Sequence, residues 1–284
     1  MPAISPKQVP SWVVVASAAA VLMAVTAVSL GVRKSAAPEE VSGAQAPPIR
    51  VPRFVDPALV RHQPRFRFTF DPPEALAELR ASERIDSVVA AAGGDLDRFR
   101  KLTAWSRRQF EPGVPSPYPP LDARIILRDI RSGFTGGFCA QYNYVLAQAL
   151  MSLGYSARYV TLPDHELLEG WLRDERRWVC LDPLHAATYV DGAGRALSVL
   201  EIVRRARAGE PPLPGPGSLP RTAEEVAGAF TRFAVWLKND HVSQPINFTD
   251  IATYKVHFLF EGQEAPRGDL STTLPEDLYF DPEL

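Results

Sequence analysis

The chain has 284 residues, with 31 Lys and Arg against 33 Asp and Glu, a net charge of −2 with its five His neutral, and 46% apolar composition. That length suits one medium domain with extensions or two small ones, the apolar share supports a sizeable core, and the interspersed charges give no basic face for a nucleic acid. Two cysteines without CxxC spacing exclude a disulfide framework and a zinc–cysteine cluster.

Ser11–Val32 carries no charged residue. A helix of that length spans about one bilayer and exceeds the apolar core of a signal peptide. The expectation is a single transmembrane anchor within residues 1–34, with membrane as a partner and the soluble bulk extracytoplasmic. Residues 35–64 are rich in Pro and Ala and read as a linker.

Arg65–Phe70, "RFRFTF", alternates like a half-buried strand. Residues 73–110 have helical periodicity, residues 111–120 form a Pro-rich loop, and residues 121–133 form a short helix ending at Gly133. After Cys139, apolar positions Tyr142, Val145, Leu146, Ala149, Leu150 and Leu153 recur at helical spacing up to Gly154. Strands are predicted over 155–162, 165–172 and 177–182, and a helix over 197–209. Residues 210–220 look like a second linker. Thr222 and Glu225 form a capping box opening a helix predicted to run to Asp240. A last strand is expected near 254–262, followed by an acidic surface tail. The resulting plan is a catalytic domain over 65–205 and an extension of unread role over 206–284.

Cys139 is preceded by two glycines, which leave room for a substrate backbone, and it opens a helix. The positive end of the helix dipole favours a thiolate, and the Cys139 N–H can help hold an oxyanion. Downstream, "HELLEGWLRDERRWVCLDP" reads as a hairpin. A turn centred between Arg173 and Asp174 would set Trp171 opposite Arg176, Glu169 opposite Trp178, Leu167 opposite Cys180, and His165 opposite Asp182. Opposed side chains share a face and nearly touch. A carboxylate beside an imidazole fixes its tautomer and favours its protonated form. Cys, His and Asp together make an activated nucleophile for acyl transfer.

"GGFCAQYNYVLAQALMSLGYSARYV" followed by "HELLEGWLRDERRWVCLDP" resembles the transglutaminase-like superfamily, as a bacterial-type, membrane-anchored member. The shared pattern is a Gly-preceded Cys on a helix, an AR-x-V strand, His with Glu four and Trp six positions on, and WV-x-x-DP. It covers about half the chain, residues 75–200. The resemblance implies an α+β, papain-like core with the Cys helix packed on an antiparallel sheet carrying His and Asp. The nucleophile falls on Cys139, the base on His165 and the orienting carboxylate on Asp182. The upstream Trp that serves some relatives as oxyanion partner falls on Trp105. Water as acceptor gives a peptidase, amidase or deamidase on a protein or peptide substrate; an amine gives cross-linking. No cofactor and no metal is implied. The alternative is a catalytically silent binding scaffold at the cell envelope. Glu166 and Leu167 stand where relatives often carry a small residue and an aromatic.

Cys180, two residues before Asp182, shares its face, and is read either as a packed apolar thiol or as a reversible disulfide partner of Cys139. "HELLE" has Glu169 where a zinc protease needs its second His, so no zinc site is read there. His62, His185, His241 and His257 stand in no motif and are assigned to surface or core.

Overall fold

The computed structural model describes residues 65–246, 250 and 253–283. The expected anchor and linker, residues 1–64, lie outside the described residues. Among the described residues no helix is long and apolar enough to cross a membrane.

The chain runs β1 (Thr69–Phe70), α1 (Ala77–Ser82), α2 (Ile85–Val89), α3 (Asp95–Arg107), α4 (Ala123–Arg131), α5 (Cys139–Ser152), β2 (Ala157–Thr161), β3 (Glu166–Leu172), β4 (Arg177–Asp182) and β5 (Ala187–Val190). It continues through α6 (Val199–Arg207), β6 (Leu213–Pro214), α7 (Ala223–Ala229), β7 (Phe233–Trp236), β8 (Lys238–Asn239), β9 (Lys255–Phe258) and β10 (Leu270–Thr272). One sheet has the strand order β10-β9-β7-β2-β3-β4-β5-β6, antiparallel except at β9–β10; β1 and β8 form a short parallel pair. The architecture is α+β, as expected.

Strand alternation sends side chains to two cores. One face carries Tyr159, Leu168, Leu172, Val179 and Leu181 against α5, α3 and α4. The other carries Val160, Leu167, Cys180 and Tyr189 against α6, α7 and Leu278. On the first face Gly170 is required by a close approach, because a Cβ there would lie 2.5 Å from Phe99 Cε2.

Helix α5 is buried on every side, not only along its predicted apolar stripe. Its polar side chains must therefore find partners inside the protein. Gln148 accepts from Ala123 N at 2.8 Å and donates to Leu121 O at 2.7 Å, and Ser152 donates to Ala149 O at 2.7 Å.

Two expectations for the C-terminal region are corrected. The helix predicted over 222–240 stops at Ala229, and "FAVW" is strand β7 between β2 and β9. A short, wholly apolar run suits a strand buried on both faces, and periodicity alone does not separate it from helix. The 206–284 region, whose role the sequence left unread, supplies β6 to β10, most of them within the large sheet. The acidic tail is not a surface segment either. Asp277 and Leu278 are buried, and Trp178 Nε1 donates to Phe280 O at 3.1 Å.

The tail closes over a buried ion pair. Arg158 and Glu169 are register partners on β2 and β3, both fully buried, joined at 2.6 Å. The Arg158 guanidinium lies 4.0 Å from the Trp178 ring, 4.7 Å from Phe68 and 4.8 Å from Tyr279, and it donates to Leu278 O. Glu169 also accepts from Val199 N at 2.7 Å and Tyr279 OH at 3.1 Å.

His241 stacks on Tyr159 at 5.1 Å, bonds Lys238 O through Nε2 at 3.0 Å, and leaves Nδ1 buried without a partner. Burial pushes its pKa down to about 4, against smaller upward pulls from the Lys238 carbonyl, Asp71 and Asp240. A histidine with a depressed folded pKa stabilises the fold fully above its unfolded value of about 6.5 and loses that contribution as the pH falls through the folded value. Between pH 7 and pH 4 His241 is expected to remove about 3 kcal/mol of stability. Urea unfolding at the two pH values should show a difference that shrinks by that amount in His241→Asn; an unchanged difference would contradict this.

Candidate active site

Cys139 is the first residue of α5, 8% exposed. The approach is set by backbone packing. Gly113 N donates to Gly137 O at 2.7 Å, and a Cβ on Gly136 would lie 2.5 Å from Val114 O, so glycine is needed where the two loops touch. Gln141 Oε1 accepts from Phe138 N at 3.1 Å and caps the helix start. Val114, Tyr118, Phe134 and Phe138 are exposed apolar residues on these two loops, giving the site an apolar mouth.

The β3–β4 hairpin differs in register from expectation. Its turn is the four residues 173–176, with Arg176 in the left-handed region at φ 50°, so Glu169 pairs with Cys180 and Trp171 with Trp178. The register has slipped by two residues relative to a turn centred between Arg173 and Asp174. A slip of two preserves the face. His165 therefore still meets Asp182, diagonally, from just outside β3.

His165 Nε2 lies 3.1 Å from Asp182 Oδ2, with its side chain 11% exposed and that of Asp182 fully buried. The separation is that of an ion pair, although the N–H is out of line for a hydrogen bond. Cys139 lies within hydrogen-bonding reach of the same ring. Burial alone would lower the pKa of His165; Asp182, and then hydrogen bonding and charge from Cys139, outweigh it and raise it to about 10. For Asp182, burial pushes upward, but the charge and hydrogen bond of His165 and the hydrogen bond of His185 hold the carboxyl well below the usual range. The structure thus brings the side chains of Cys139, His165 and Asp182 together.

Trp105, on α3, belongs to the core cluster with Phe99 and Leu102. Cys180 packs in the cluster on the face away from α5, with Leu167 and Tyr189, and burial raises its thiol pKa. Both thiols are free, and the packing of Cys180 among apolar side chains fits its reading as a buried apolar thiol.

Set against family models, curated proteins and solved structures, the chain matches none of them. What the site can do is carried by its own residues.

Four of those residues escaped the sequence reading. Asn143 donates to Cys139 O at 2.8 Å and to Glu166 O at 2.5 Å, tying the start of α5 to the strand that follows His165. His185, assigned to surface or core, bonds Asp182 Oδ2 through Nδ1 at 2.9 Å. Tyr189 OH donates to the same oxygen at 3.0 Å, and Arg221 Nη1 donates to Tyr189 OH at 2.7 Å. The spacing of "DPLH" was the one available signal: Asp182 accepts from His185 N at 3.3 Å and caps the short 3-10 turn Pro183–His185.

A groove of about 400 Å³ flanks Thr161–Pro163, just before His165, with Phe233, Ala234, His257 and Phe258 on its other side. Register aligns Glu166, Thr161, Ala234 and His257 in one row across β3, β2, β7 and β9. The C-terminal strands therefore extend the surface beside His165. Burial pushes the Glu166 carboxyl pKa up, partly offset by the charges of Lys255 and His165.

Proposed function

We propose that the protein is a cysteine-dependent acyl-transfer enzyme with a transglutaminase-like, papain-like core, acting on peptide or side-chain amides and releasing the acyl group to water. The observation that carries this reading is the convergence of Cys139 at a helix N-terminus, His165 beside it, and buried Asp182 on Nε2 of His165.

In this reading Cys139 Sγ, its proton on His165, attacks the amide carbonyl. The tetrahedral intermediate draws on the N–H groups at the start of α5. The C–N bond breaks as His165 gives its proton to the departing amine, leaving a thioester on Cys139. Water then loses a proton to His165 and attacks the thioester, and the thiol returns with the acid released. Asp182 keeps the imidazole oriented and favours its charged form. The apolar mouth suits the flanks of an extended peptide, and Thr161–Pro163 line the side of the groove nearest His165, with residues between 232 and 266 opposite. No residue here selects an amine over water, so hydrolysis is the default.

The test is trapping. Incubation of the full-length chain with an activated ester, p-nitrophenyl acetate, should give a burst of nitrophenol and an acetyl group on Cys139 by mass spectrometry, lost in Cys139→Ala. Acylation at the same rate in His165→Ala, or none at Cys139, would overturn the reading.

A further inference from the structure

Asp182 Oδ2 receives two imidazoles, and only one belongs to the triad. His165 Nε2 stands 3.1 Å and His185 Nδ1 2.9 Å from that oxygen. The three potential ligand atoms all lie within 4.8 Å of one another. His185 is 28% exposed and opens the cluster to solvent, whereas Asp182 closes it from within. The buried Nε2 of His165 has no aligned hydrogen-bond partner, though it points into this cluster. Two neutral imidazoles and a carboxylate are a borderline-soft donor set, and zinc bound by three such ligands keeps a fourth position for water.

We propose that His165, Asp182 and His185 form a site for a divalent transition ion of the zinc type, and that occupancy silences Cys139. Zinc–nitrogen and zinc–oxygen bonds of about 2.0–2.2 Å require donor atoms a little over 3 Å apart. The two contacts on Asp182 already stand at about that separation, and the two imidazole nitrogens, within 4.8 Å of each other, close on the ion by rotation of the side chains. Each ligating nitrogen must offer a lone pair: a charged His165 releases its Nε2 proton to solvent and keeps Nδ1–H, and His185 carries its remaining proton on Nε2, so both rings bind the metal as neutral imidazoles. His165 is then held by the metal at Nε2 and no longer carries the charge that supports the thiol. Arg221 Nη1 lies 3.6 Å from Asp182 Oδ2 and opposes a cation. Its closer engagement is with Tyr189 OH, at 2.7 Å.

The effect on Cys139 rests on its being the nucleophile; the metal site itself does not. The full-length chain is titrated with Zn²⁺ alone against a fluorescent chelator, and alkylation of Cys139 is followed in parallel. One Zn²⁺ per chain is expected. Binding should be at least tenfold weaker in His185→Ala and His185→Gln and within twofold of the parent in Cys139→Ala. Zinc should slow alkylation in the parent over the same concentration range, with that range shifted at least tenfold upward in both His185 variants. The glutamine variant serves if the alanine variant loses its cooperative thermal transition. Unchanged affinity in both His185 variants, loss of binding in Cys139→Ala, or no binding at 100-fold excess Zn²⁺ would overturn the site. Binding as expected with a thiol that is slow even without zinc would keep the metal site and overturn only the nucleophile.

Discussion

Asp182→Asn is expected to slow turnover of an activated ester roughly 1,000- to 10,000-fold while leaving the fold intact, as removal of the orienting charge does in serine-type triads. Asp182 Oδ2 accepts contacts from His165, His185 and Tyr189 OH at 3.1, 2.9 and 3.0 Å. An asparagine oxygen can accept those contacts without the negative charge, and its amide nitrogen adds donors where the site supplies donors already. The imidazole loses the partner that keeps its pKa raised, so the loss should appear in kcat more than in KM. Far-UV circular dichroism separates this from unfolding. Turnover within tenfold of the parent would contradict the role given to Asp182.

The second large effect concerns stability. Arg158→Met is expected to cost about 3–5 kcal/mol in urea or guanidinium unfolding, because it leaves a buried carboxylate without its ion partner. Glu169 would keep only Val199 N and Tyr279 OH, and the rings of Trp178, Phe68 and Tyr279 would lose the cation they enclose. The Leu278 carbonyl would lose its donor as well, so the tail should become more open to protease. Adding Glu169→Gln should recover a substantial part of the loss, since the uncompensated charge is then gone. A loss under about 1 kcal/mol for the single change would place the strength of this face in its apolar contacts.

The legible features were local or depended on the parity of a strand. The entry of α5 at Cys139 follows from the glycines before it and the apolar spacing after it. That His165 and Asp182 share a face follows from period-two alternation, and it survived a register error because the turn holds four residues and the slip was even. Position along the sheet was not legible, because Arg176 adopts a left-handed conformation that nothing in "RDER" demands. "FAVW" read as helix because the capping box at Thr222 opens a true helix whose end has no strong stop signal. The contacts of Asn143, Tyr189 and Arg221 depend on which strands lie side by side, and a single sequence does not specify that. The tail looked acidic and exposed because its burial depends on a cation, Arg158, over 100 positions earlier.

The central claim is that Cys139 is an activated thiol because His165 stands beside it. Its most direct test is the rate of Cys139 alkylation by iodoacetamide between pH 5.5 and 9, in the full-length chain carrying Cys180→Ala, with and without His165→Ala. The proposed arrangement predicts rapid alkylation at pH 6, where an ordinary thiol of pKa about 8.5 is almost entirely protonated. It also predicts that His165→Ala removes this low-pH reactivity. Identical rates in the two proteins across the whole range would contradict it and leave the fold a binding scaffold.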